Sequence, residues 1–250
     1  MNVLMGNLYK WFHGYVSSYY SEDRDIQENI VLKETHTIKV AQNSIRLASE
    51  LGLSQGDQQL AEIIGLLHDI GRFKQYYIYR TFRDSKSENH ALLGLSEIKN
   101  LDLIQLLVPE DRECLTFSIG NHNAISIPAN ASPRQQLFAR IVRDADKLDI
   151  FRVLAPTLIY SDGQGYSEIF AKSLLTGEQC DYSCMKTADD RKLIRLSWIY
   201  DINYSWTMKQ IIKEGYVDEI LKTLPDNEKL RYAASRLKEF MKVKAFKKSY

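Results

Sequence analysis

Proline and glycine are scarce, 5 and 12 among 250 residues, so composition enforces few turns and long helices are allowed. Cysteine is scarcer still. Cys114, Cys180 and Cys184 cannot all pair with one another and form no C-x-x-C motif, which excludes a disulfide framework and fits a reducing, cytoplasmic setting. No apolar run approaches the roughly twenty residues that span a bilayer, so no membrane partner is expected. The aromatic and polar stretch from Met1 to Tyr20 does not read as a secretory signal. Charge of one sign is also lacking: 33 Lys+Arg stand against 32 Asp+Glu, a net charge of +1. A binder of long nucleic acid would need a surplus of cations to meet successive phosphates, so none is expected as a partner. A Walker-type glycine loop, G-x-S-x-G and H-E-x-x-H are all missing, which removes support for nucleotide-driven motors, serine hydrolases and zincins.

What remains is a chain of average globular composition, 44% hydrophobic and 26% charged, large enough to bury a core. Its apolar residues recur at helical spacings, and no alternating run is long enough to demand a sheet; the fold class expected is all-α. Leu32, Val40, Leu47 and Leu51 place a helix over 31–53, with Gly52 as a left-handed stop. A second helix runs from about Asp57 to a stop at Gly71, and Ser87 and Asp111 are candidate caps for a third and a fourth. Ser132-Pro133 reads as an N-cap followed by N1 of a long helix through Arg152. Further helices are expected over 167–175, 189–214, 216–224 and 226–244. Residues 1–25 read as an N-terminal helical extension, 26–160 as a helical core, and 161–250 as a C-terminal helical region packed on that core.

Five histidines are present, and their company matters more than their number. His68 and Asp69 are adjacent at the end of the apolar run Leu66-Leu67-His68-Asp69-Ile70-Gly71. Taken alone, such a pair is a hydrogen-bonded couple at a helix end or two mixed N/O ligands for a divalent ion. His36 shares a stripe with Leu32 and Val40, as a core histidine or a ligand. Asp146 extends the stripe of Phe138 and Val142, where burial requires either a cation or a partner such as Arg143 or Lys147. His90 and His122 fall at the start of the third helix and on the stripe of the fourth. His13, among N-terminal aromatics, has no such context.

The order His36, His68-Asp69, Asp146 resembles the H…HD…D signature of the HD-domain superfamily of metal-dependent phosphohydrolases. The stretch from Ala61 to Arg72, with its HDIG turn, carries most of the likeness, which extends over about 30–151. With His90 and His122 included, the order is similar to that of two-metal HD proteins. The resemblance implies an all-α core with two divalent ions, of which Mn, Mg and Fe are candidates. It places His36, His68, Asp69 and Asp146 on one ion, and His90, His122 and a shared, catalytic Asp69 on the other. It implies a hydrolase acting on a phosphoester of a small phosphorylated substrate, a nucleotide among the candidates. Divalent ions lower the pKa of bound water from about 15.7 toward 7, which makes hydroxide available at neutral pH. Developing negative charge on phosphorus calls for further cations, and Arg72 and Lys147 are the catalytic candidates because their neighbours face the site. The stretch from Tyr76 to Arg83 reads as an aromatic, basic loop positioned to cover the pocket, there to stack a base or to pack two helices together. Two other readings stay open: a di-iron oxygenase of the same superfamily, and a non-catalytic helical module with a vestigial site.

Overall fold

The computed structural model describes residues 2–178 and 180–247, and no strand occurs among them; the chain is all-α. It divides into two compact units, 1–146 and 147–250. The first contains α1 (Asn2–Ser17), α2 (Arg24–Glu50), α3 (Gln55–Leu67), α4 (Gly71–Tyr79), α5 (His90–Ile98), α6 (Asp102–Gln105) and α7 (Pro109–Asn121). The division falls inside α8 (Pro133–Leu158). The second unit continues with α9 (Glu168–Thr176), α10 (Ala188–Ser197), α11 (Ser205–Glu214), α12 (Tyr216–Leu221) and α13 (Glu228–Phe246). The first unit takes in residues 1–25 and ends at Asp146.

In the first unit, α2 lies along α3, and the reason is legible in one glycine. A Cβ at Gly65 would stand 2.7 Å from Ser44 Oγ and 2.8 Å from Ala41 Cα, so only glycine lets the two backbones come this close. Val40 and Leu47 of α2 and Leu60 and Ile64 of α3 are buried. Asp23 starts α2 by accepting the amides of Asp25 and Ile26, and Gly52, at φ +70°, closes its C-terminal end as its position suggested.

Four local expectations are corrected. Gly71 does not stop α3; it opens α4 after a three-residue turn, and its φ is not left-handed. Its smallness serves α5, because a Cβ there would lie 2.3 Å from His90 O and 2.5 Å from Gly94 N. Asn89, not Ser87, caps α5, accepting from Ala91 N and Leu92 N, while Ser87 Oγ accepts from Gln75. Tyr76 to Tyr79 finish α4, so the loop begins only at Arg80, whose left-handed φ of 52° ends the helix. The single helix expected over 189–214 is broken after Trp198–Asp201, a short 3-10 turn, because Ile202 and Tyr204 are extended.

The second unit closes on its own core, with Phe170, Leu174, Leu193, Met208, Leu230 and Leu237 buried. Lys192 is fully buried within it, where it donates to Asp189 Oδ1 at 2.8 Å and to the Thr223 carbonyl at 3.0 Å.

Candidate metal centre

The centre is built at two helix ends. His68 and His122 directly follow the last residues of α3 and α7 with right-handed backbone, and each turns Nδ1 back onto its own helix. His68 Nδ1 donates to Gly65 O at 2.8 Å, and His122 Nδ1 donates to Ile119 O at 2.7 Å. Each bond fixes the tautomer, leaving Nε2 as the lone-pair nitrogen of the neutral ring. The carbonyl ends of both helices carry partial negative charge, which suits a cation. Two packed helices thus present the same motif.

Asp69 stands between two groups. Its Oδ2 lies 3.7 Å from His36 Nε2 and 3.7 Å from His68 Nε2. Its Oδ1 lies 3.4 Å from His90 Nε2 and 3.5 Å from His122 Nε2. Ligand atoms of His36, His68 and Asp69 fall within 4.8 Å of one another, as do those of Asp69, His90 and His122. Asp146 joins the first group, with Oδ1 3.1 Å from His36 Nε2 and 3.8 Å from His68 Nε2. All five histidine and aspartate positions of the motif other than Asp146 are buried to 6% exposure or less. Six residues from five separate places in the chain are therefore brought together by the first unit.

The donor chemistry fits divalent cations. His68 Nε2 is buried and makes no hydrogen bond. His90 Nδ1 donates to Asp84 Oδ2 at 2.7 Å, so in neutral rings the Nε2 atoms of His90 and His122 meet lone pair to lone pair at 2.9 Å. That approach is repulsive unless a cation is shared. Burial pushes both His68 and His90 down to about 4, keeping the imidazoles neutral and able to bind a metal at pH 7. Burial would raise Asp69, but Lys33, His68 and His122 overcome it and hold the carboxyl well below its usual range. Asp146 is likewise lowered against burial, chiefly by His36. Both carboxylates are ionised.

Matched against known families, residues 34–150 fit the HD domain. Residues 34–150 are an HD domain. No curated protein and no solved structure matches the chain. All six ligand-type residues lie inside the HD domain, whose superfamily is one of metal-dependent hydrolases.

Around the HD motif, the structure assigns places that the sequence left open. Arg72 Nη1 donates to Gln75, to the Phe82 carbonyl and to Asp84, while Nε, 3.5 Å from Asp69 Oδ1, makes no hydrogen bond. Lys147 has its ammonium 2.7 Å from Asp201 within the second unit. The bonds of Arg143 include the carbonyls of Asn121, His122 and Ala124, where it closes the end of α7. His13 pairs with Glu34 at the surface.

Two residues had no sequence signal strong enough to find them. Asp84, in the loop after α4, orients His90 and also accepts from Arg72, Gln75 and Asn123. Lys33 donates to Asp69 Oδ2 at 2.7 Å. Lys33 precedes His36 by one turn of α2, a spacing that could have placed it on the same face.

Proposed function

We propose that the HD domain is a metal-dependent phosphohydrolase acting on a phosphoester of a nucleotide or another small phosphorylated metabolite. The observation that carries this reading is the division of Asp69, one oxygen toward His36 and His68 and the other toward His90 and His122. Bound divalent ions, about two in number, would supply Lewis acidity toward a phosphoryl oxygen and an acidified water. His36, His68 and Asp146 would hold one with Asp69, and His90 and His122 the other.

The chain's own part is to preorganise. Gly65 O, Ile119 O and Asp84 fix three imidazoles, so little reorganisation is needed when ligand nitrogens are engaged. Arg72 is the cation best suited to developing phosphoryl charge, since its Nε, in ion-pair range of Asp69, makes no hydrogen bond. Lys147 would have to exchange Asp201 for the substrate to act in the same way.

A panel of nucleotides, phosphorylated sugars and cyclic dinucleotides tests the reading with metal-stripped protein and added Mn²⁺ or Mg²⁺. Phosphate release that requires the ion and vanishes in Asp69→Ala is expected. Absence of release with either ion, or turnover that requires iron and dioxygen, would contradict it.

A further inference from the structure

Asp69 carries a side-chain cation against each oxygen. Lys33 Nζ is 2.7 Å from Oδ2, and Arg72 Nε is 3.5 Å from Oδ1. One aromatic face touches both cations: the Phe82 ring lies 5.3 Å from Lys33 Nζ and 5.8 Å from the guanidinium carbon of Arg72. The ring holds the two side chains in place without neutralising them. Arg72 is also shared with Asp84, at 3.0 Å. The Lys33 side chain keeps 13% exposure against 4% for Asp69, so it stands at the rim where a solute can meet it.

Without metal, Lys33 and Arg72 stand against the carboxylates of Asp69 and Asp84, so the two cations are matched. With divalent ions on Asp69, the lysine becomes surplus charge. It then opposes metal uptake and favours a ligand that brings more than one negative charge. A terminal phosphate group is a dianion at neutral pH, whereas a phosphodiester carries a single charge.

We propose that Lys33 is a specificity-determining residue that sets the HD centre to take a phosphomonoester dianion in preference to a phosphodiester. The proposal rests on the metal-dependent reading above. It couples two effects of opposite sign: Lys33 weakens the hold on metal and strengthens the hold on phosphate.

Isothermal titration of the full chain separates these effects, first with Mn²⁺ and then with inorganic phosphate or dimethyl phosphate on the Mn²⁺-loaded protein. Lys33→Gln keeps a donor for Asp69 while removing the charge, and Lys33→Arg keeps both. In Lys33→Gln, Mn²⁺ should bind about tenfold more tightly and inorganic phosphate about tenfold more weakly, with dimethyl phosphate little changed. Lys33→Arg should hold both affinities near those of the natural chain. Unchanged or weakened Mn²⁺ affinity in Lys33→Gln, or unchanged phosphate affinity, overturns the proposal while leaving the metal reading intact. Equal loss of phosphate affinity in Lys33→Arg, which keeps the charge, overturns it as well. Failure of the natural chain itself to take up Mn²⁺ overturns the metal reading, and the proposal with it.

Discussion

Asp84 never enters the ligand set, yet it decides which nitrogen of His90 can face the centre. With Nδ1 donating to this carboxylate at 2.7 Å, Nε2 is left toward Asp69 and His122. Asp84→Asn can present its amide NH₂ to the ring and favour the opposite tautomer. Affinity for the second ion should fall about 10–100-fold, while the first ion is retained. Competitive titration of Mn²⁺ measures both, and equal weakening of the two ions would refute the assignment. Gly71 acts through shape. In Gly71→Ala the new methyl meets His90 O and Gly94 N of α5, so the variant should lose roughly 1–3 kcal/mol or more in urea denaturation. An unaltered midpoint would mean that α4 and α5 separate easily. At this scale the histidines and aspartates of the motif were legible because their order along the chain is itself informative. Lys33 and Asp84 were not, since a lone lysine on a polar helix and an aspartate in an aperiodic loop look like ordinary solvated charges.

Helix ends place His68, His90 and His122, so errors of one turn matter here. One start was legible because a single residue dominates the local chemistry: Pro133 opens α8. Ser87 misled because Asn89 stands two residues on and reaches Ala91 N and Leu92 N. Gly71 misled because a glycine after an apolar run signals a left-handed stop or close packing equally well, and only the position of α5 separates the two. Arg143 shows what holds an end in place. Its guanidinium gathers the carbonyls of Asn121, His122 and Ala124, groups that the last turn of α7 cannot satisfy alone. Arg143→Met should cost about 2–4 kcal/mol, since several hydrogen bonds to a buried charged group are lost together. Urea denaturation gives the energy, and faster amide exchange over residues 122–127 gives the location. A loss confined to other segments would contradict the capping role.

At the scale of the whole molecule, a core followed by a C-terminal helical region was expected, but the exact place of the division has no local signal, because α8 runs without a break from Asp146 to Lys147. No composition change marks it. No helix among the described residues is long and apolar enough to cross a membrane. The second unit buries Lys192 against Asp189, a pair that an apolar pattern does not foretell. Lys192→Ala leaves that carboxylate buried alone and should cost about 3–5 kcal/mol, read from thermal or urea unfolding. A variant as stable as the natural chain would mean that Asp189 finds water or another donor. For the first unit, metal binding is itself stabilising: Mn²⁺ at about a hundred times its Kd should add about 2.7 kcal/mol, seen as a higher Tm. Sharing of Asp69 between two ions, as proposed above, is tested most directly by counting bound metal. Elemental analysis of Mn²⁺-loaded, desalted protein should give about two ions per natural chain, about one in His122→Ala and about none in Asp69→Ala. Equal retention of a single ion by both variants would contradict the sharing of Asp69.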